Sequence, residues 1–254
     1  MAVYPELSGR VVAITGAAQG IGACTARAFA KQGAKVAALD IDEQGATEVV
    51  REITAMGGSA LVVRTDVTDE QSVQDAIARV IAQCGGLDVL VTSAGGYGRL
   101  ARVEDMPVEE WDRTVALNLR GTFLACKTAI PHLKQSKAGR IVTIASISGR
   151  TISSSTSPAY AASKAAVIQL TRFLAYTLGE FGITANSVAP ITTLTPRVRA
   201  LRTAENIAQI AAQVPLKRLP DPDEHARVVV FLASDGASYL NGMVMDTNGG
   251  KVMM

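Results

Sequence analysis

Val11-Val12-Ala13-Ile14-Thr15-Gly16-Ala17-Ala18-Gln19-Gly20-Ile21-Gly22 is the stretch that decides the fold. Its first five residues read as a buried strand, its glycines as a tight turn, and helical spacing of apolar residues begins at Gly20. Glycine lets the backbone turn sharply and approach a bound group closely. A pyrophosphate suits such a turn, because its charge meets free amides and the positive end of the helix that follows. The same turn also serves plain packing of helix on strand, so its meaning depends on the rest of the chain.

The rest of the chain repeats the strand-then-helix pattern. Lys35 to Asp40 precedes Glu43 to Met56, Ala60 to Thr65 precedes Asp69 to Cys84, and Asp88 to Thr92 precedes Val108 to Gln135. Arg140 to Ser146 then leads to Ser157 to Phe181, Thr184 to Val188 to Pro222 to Ser234, and a last strand lies near Met243 to Asp246. Strands that are almost continuously Val, Ile, Leu and Ala are buried on both faces, as in a parallel sheet under crossover helices. Right-handed crossovers make this a doubly wound α/β fold: one parallel seven-stranded sheet with helices on both faces, in a single domain spanning residues 1–254. Ile191 to Val214 breaks the alternation and is expected to be an inserted substrate lid. The Ser/Thr run from Thr151 to Ser157 reads as a polar loop.

The 254 residues are 48% hydrophobic and 19% charged, enough apolar surface for one large core. A formal net charge of +2, with scattered Lys and Arg, does not point to nucleic acid or a membrane surface. Cys24, Cys84 and Cys126 have no Cys-x-x-Cys spacing, which suggests neither disulfides nor a metal site and makes a reducing cytoplasm the expected location. No signal-peptide pattern or long apolar run stands out, so a soluble protein is expected. His132 and His225 are each isolated, and such residues are more often at the surface or capping a helix than ligating.

Asp40 closes the second strand about 20 residues after the glycine turn, where a carboxylate can hold adenosine ribose hydroxyls and repel a 2′-phosphate. With no Lys or Arg in the turn, NAD is favoured over NADP. Asp66-Val67, after the third strand, can meet adenine, and Asp69 reads as a helix cap. Further along, Tyr160 and Lys164 share one helix face at i and i+4. An ammonium near a phenol favours the phenolate and eases proton exchange with an alcohol oxygen. By itself the spacing more often packs a tyrosine ring on a lysine stem. Ser146 lies upstream at the end of a strand. Ser148 is a competing hydroxyl that falls in the loop beyond it.

Taken together, Thr15-Gly16-x-x-x-Gly20-x-Gly22, Asp40, Ser146 and Tyr160-x-x-x-Lys164 resemble the short-chain dehydrogenase/reductase family over essentially the whole chain. The resemblance implies a Rossmann-like fold and an NAD-dependent oxidoreductase that interconverts a secondary alcohol and a ketone. It implies that Tyr160 is the general acid/base, that Ser146 orients the substrate oxygen, that Lys164 assists, and that Asn118 holds a water in a proton relay. Cofactor contacts are implied at Gly16, Gln19, Gly20, Ile21, Gly22, Asp40, Ile41, Asp66, Val67, Ser93, Ala94, Gly95, Tyr160, Lys164, Pro190, Thr193 and Thr195. No metal is called for. A homotetramer is the family's common state, with interfaces expected on the helices from Val108 and Ser157 and along Met243 to Met254.

Three departures stand out. Thr92-Ser93-Ala94-Gly95 replaces Asn-Asn-Ala-Gly, Pro190-Ile191 replaces Pro-Gly, and Ser146 precedes Tyr160 by fourteen residues, one more than is commonest. Tyr97, Ser148, Arg150 and Ser153 to Ser157 are expected on the substrate side. Arg150 with the lid residues Arg197, Arg199 and Arg202 could clamp an anionic substrate. Two alternatives are a non-catalytic NAD-binding sensor or scaffold and an epimerase or dehydratase on the same fold.

Overall fold

The structure, a computed structural model, describes residues 2–98, 100–152 and 156–253. Seven strands, β1 (Val11–Thr15), β2 (Lys35–Asp40), β3 (Ser59–Arg64), β4 (Val89–Thr92), β5 (Arg140–Ile144), β6 (Thr184–Pro190) and β7 (Val244–Thr247), form one sheet in the order β3-β2-β1-β4-β5-β6-β7. All pairings are parallel. Successive residues of a strand serve opposite faces. Val12 and Ile14 of β1 pack with α1 (Gly20–Ala30), α2 (Glu43–Ala55) and α9 (Pro222–Ala233), whereas Val11 and Ala13 pack with α3 (Glu70–Cys84), α5 (Gly121–Leu133) and α6 (Pro158–Leu178). Burial on both faces is why β1 reads as a continuous apolar run.

The chain winds outward from β1 to β3 and then returns to β4 on the other side of β1. That reversal opens a crevice at the carboxyl ends of β1 and β4, the usual ligand position in such sheets. Gly16 at this point has φ +69, and a Cβ on it would lie 2.6 Å from the Ala94 backbone. Thr15 Oγ1 also accepts from the amides of Ser93 and Ala94, both at 3.2 Å, which ties the two strand ends together.

One expectation about the helices changes and one segment gains detail. Val108 to Gln135 is not one helix: α4 (Val108–Val115) passes into α5 through a π-helical turn, Ala116–Arg120. Ile191 to Val214 holds two short helices, α7 (Pro196–Leu201) and α8 (Ala204–Ala212). Both are N-capped by threonine, Thr195 accepting from Val198 N and Thr203 from Asn206 N. Ile191, Val214 and Leu219 pack with Ile147 in a small core of their own, joined by Leu194, Ile207 and Ile210. A β-branched residue after Pro190 therefore anchors this segment. No helix among the described residues is long and apolar enough to cross a membrane.

Helix α6 carries Tyr160 and Lys164 and is fixed to the sheet by buried hydroxyls. Thr143 Oγ1 lies 2.8 Å from Thr171 Oγ1 and 2.7 Å from Ser187 Oγ, linking β5, α6 and β6. Ser187 and Thr171 are themselves 3.1 Å apart, and Thr171 Oγ1 also donates to the Val167 carbonyl. Thr143→Val keeps the shape but removes the hydroxyl that meets both others. We expect it to cost about 1–2 kcal/mol in urea unfolding; unchanged stability would show that the cluster contributes nothing.

Candidate active site

A cavity of about 420 Å³ runs along the carboxyl ends of the strands. Gly16, Gln19, Gly20 and Ile21 line its floor, with Asp40, Ile41, Asp66 and Val67 at one end and Ser146, Ser148, Tyr160 and Lys164 at the other. Ser93, Ala94, Gly95 and Tyr97 from the loop after β4, Pro190 at the end of β6, and Thr193 and Thr195 beyond it complete the expected set. Gly22 is not on the wall: a Cβ there would lie 2.0 Å from the Gly16 carbonyl oxygen, so it serves close packing of α1 on the turn. Thr156, from the expected Ser153 to Ser157 run, lines the cavity, and Thr65, Gly96, Leu117 and Thr192 line it without having been singled out from sequence. Thr65, Gly96 and Thr192 follow strand ends, whereas Leu117 lies on the π turn. Ser153, Ser154 and Ser155 lie outside the described residues.

At the acidic end, Asp40 Oδ2 accepts from Ala18 N at 2.8 Å and Oδ1 from Asp42 N at 3.0 Å. These bonds fix the carboxylate against the glycine turn and leave lone pairs for ribose hydroxyls. Asp66 Oδ1 accepts from the amide and the hydroxyl of Thr68.

At the other end, Ser146 follows β5 and caps a 3-10 turn, Ile147–Gly149, its Oγ accepting from Ser148 N at 3.1 Å. The strand stops at Ile144, two residues earlier than expected. A Cβ on Gly149 would lie 2.6 Å from the Lys164 carbonyl carbon, so the turn can rest on α6 only with glycine there. This contact holds Ser146 beside Tyr160. Ser157 caps α6 by accepting from Tyr160 N.

Lys164 is 4% exposed, and its Nζ donates to the Ile144 carbonyl at 2.7 Å and lies 5.7 Å from the centre of the Tyr160 ring. Burial pushes the tyrosine up to about 12, with a hydrogen bond from Ser146 pulling it down and Tyr97 pushing further up. Burial also brings Lys164 down to about 8. The lysine does not by itself bring Tyr160 near neutrality, contrary to the expectation from spacing, because desolvation opposes both charged forms and Nζ is directed at a backbone carbonyl.

Two further expected site residues do not line the cavity. Asn118 is fully buried behind the cavity: the π turn sets its Nδ2 against the carbonyls of Gly96 and Thr114, both at 2.9 Å, while its Oδ1 accepts from Gly96 N at 3.1 Å. It braces the loop that follows β4. Arg150 is not on the substrate side. It points toward Asp246 of β7, with Nε 3.4 Å from Oδ1.

The family profile described as Enoyl-(Acyl carrier protein) reductase matches residues 16–251. A short-chain type dehydrogenase/reductase from Mycobacterium marinum superposes with a TM-score of 0.92 at 35% identity, over 98% of this chain and 97% of that one. The chain belongs to the short-chain dehydrogenase/reductase family. Within that family it is 43% identical to cis-4-hydroxycyclohexanecarboxylate dehydrogenase of Sinomonas cyclohexanicum, over 95% of this chain and 96% of the relative. The 3-ketoacyl-(acyl-carrier-protein) reductase from Brucella melitensis complexed with NADH has a TM-score of 0.89 at 33% identity, covering 97% of this chain and all of that one.

Two further features lie near the cavity. Thr92, in place of the first asparagine, is buried at the end of β4, and the bracing of β4 on β1 falls to Thr15. His225 is not the surface or capping residue that its isolation suggested. It is 1% exposed, and its ring bridges Thr193 Oγ1 and Thr247 Oγ1, each at 2.8 Å. Burial lowers His225 from 6.5 to about 4, against an opposing pull from Glu224. The native state therefore holds it neutral while the unfolded chain takes up a proton first. Its contribution is complete above pH 6.5 and is lost as pH falls through about 4, an effect on the order of 3 kcal/mol. Unfolding measured across that window should show a shallower decline for His225→Gln than for the natural protein; parallel curves would contradict a buried neutral imidazole.

Proposed function

We propose that this protein is an NAD-dependent dehydrogenase that interconverts a secondary alcohol and a ketone. The observation that carries the reading is one continuous cavity with a fixed carboxylate, Asp40, at one end and Ser146, Tyr160 and Lys164 at the other. Close-packed glycine at Gly16 and Gly22 and the hydrogen-bond-accepting carboxylate of Asp40 fit a dinucleotide without a 2′-phosphate. Gly16, Gln19, Gly20 and Ile21 would hold the pyrophosphate, Asp40 the adenosine ribose, and Pro190, Thr193 and Thr195 the nicotinamide side. The nicotinamide supplies a hydride acceptor when bound.

The protein's own part is proton handling and orientation. Ser146 Oγ and the Tyr160 phenol hold the substrate hydroxyl between them, and the phenolate of Tyr160 takes its proton in the oxidation direction. Ser146 stabilises that phenolate by donating to it. Lys164, charged below about pH 8, adds a positive charge beside the ring. Asn118 acts through the loop it braces. The lid at residues 191–214 excludes water. The Sinomonas relative, named for a cyclic hydroxy acid, supports a cyclic secondary alcohol as substrate.

Exposed Phe123 on α5, Phe173 and Tyr176 on α6, and Met243 and Met253 near the carboxyl end support a homotetramer. Met254 lies outside the described residues. Free cysteines support a cytoplasmic location.

Tyr160→Phe is expected to bind NADH but to lose alcohol oxidation by at least about a hundredfold; a variant that keeps its turnover would overturn the assignment. Oxidation by the natural protein should rise with pH as the phenolate becomes available, and Lys164→Met should lower turnover most below about pH 8, where the lysine is charged; a pH profile that superposes on the natural one would contradict a role for that charge. Accumulation of free NADH during turnover separates this reading from an epimerase, which returns the hydride.

A further inference from the structure

Resting on the dehydrogenase reading, we propose that the substrate is an anion, with a carboxylate or a comparable oxyanion held by Arg197 on the side of the molecule away from the reacting hydroxyl. Of the four arginines considered from sequence, only Arg197 and Arg202 line the cavity. Arg150 is turned to Asp246, and Arg199 lies on the outer side of α7 with Nη2 3.4 Å from Asp221 Oδ1. Arg202 is partly engaged, since its Nη1 donates to Asn206 Oδ1 at 2.9 Å. Arg197 has no carboxylate partner among the described residues.

Its guanidinium is nevertheless held in place. The central carbon lies 5.5 Å from the centre of the Tyr97 ring, and Nη1 reaches the Gly96 backbone so closely that a Cβ there would be 2.9 Å away. The Tyr97 ring in turn meets the Tyr160 ring edge-on, 6.0 Å between centres at an angle of 89°. Guanidinium, Tyr97 and Tyr160 therefore form one wall of the cavity. A planar fork of donors held beside an aromatic ring keeps its edge free for a bidentate oxyanion. Tyr97 spaces that fork from the phenol by about one ring, which suits a small cyclic alcohol bearing its anion across the ring from the hydroxyl. The charges of the cavity are divided in the same sense, with Asp40 and Asp66 at one end and Lys164, Arg197 and Arg202 at the other.

A cofactor phosphate is the other oxyanion that could reach Arg197, and the test separates the two. The probes are 4-hydroxycyclohexanecarboxylate and its neutral carboxamide, assayed with NAD, together with a fluorescence titration of NADH. The natural protein should favour the acid by about 10- to 100-fold in kcat/KM, the range of one charge-assisted hydrogen-bonded contact. Arg197→Met should bring the ratio of acid to amide close to one with NADH affinity within about twofold, and Arg197→Lys should fall between. Arg199→Met, outside the cavity, should keep the natural ratio.

Equal use of acid and amide by the natural protein overturns the inference while leaving the dehydrogenase reading in place. So does a loss of NADH affinity in Arg197→Met with the ratio intact, or an equal effect from Arg199→Met. Failure of both alcohols to reduce NAD overturns inference and reading together.

Discussion

The approach of Gly16 to Ala94 is the constraint on which the rest depends. Two adjacent parallel strands, β1 and β4, send their chains in opposite directions, and only a residue without a side chain fits the turn after β1 against the backbone after β4, where a Cβ would lie 2.6 Å from Ala94. Thr15 closes the joint with two amide hydrogen bonds. The crevice at this switch point is one whose walls come from six strand ends, so residues far apart in sequence line one cavity. A Cβ at Gly16 would force strand ends apart, and the cavity would lose its floor before any reacting group was touched.

Inside the cavity, desolvation competes with charge. Burial drives Tyr160 toward its neutral form and Lys164 toward its own, and the Ser146 hydroxyl opposes the first of these. The site is therefore not preset to hold a phenolate. On the proposed reading, proton transfer draws on Ser146, the lysine charge and the reacting group together. Placement carries this chemistry: Gly149 lets the Ser146 turn rest on α6, and the hydroxyls of Thr143, Thr171 and Ser187 hold that helix to the sheet.

The sheet was legible because its strands are buried on both faces, which leaves uninterrupted apolar runs; β1 and β2 have the bounds read from sequence. Nearly all the cavity-lining residues were legible too, since they occupy strand ends and a glycine turn whose positions follow from the winding. The exceptions share a physical reason: they depend on tertiary partners. A π turn at Asn118 has no periodic signature distinct from a helix. Arg150 is drawn to Asp246, ninety-six positions away in the chain. The burial of His225 rests on two threonines from separate elements, and Ile191 packs in the small core of residues 191–219 and Ile147, which only the folded segment reveals.

The central claim is that this cavity binds a nicotinamide dinucleotide with its adenosine ribose at Asp40. The most direct test is parallel fluorescence titration of the natural protein with NADH and NADPH. The account predicts saturable binding of NADH at least about tenfold tighter than NADPH, because a fixed carboxylate faces the 2′ position. Equal affinities, tighter binding of NADPH, or no saturable binding of either would contradict it.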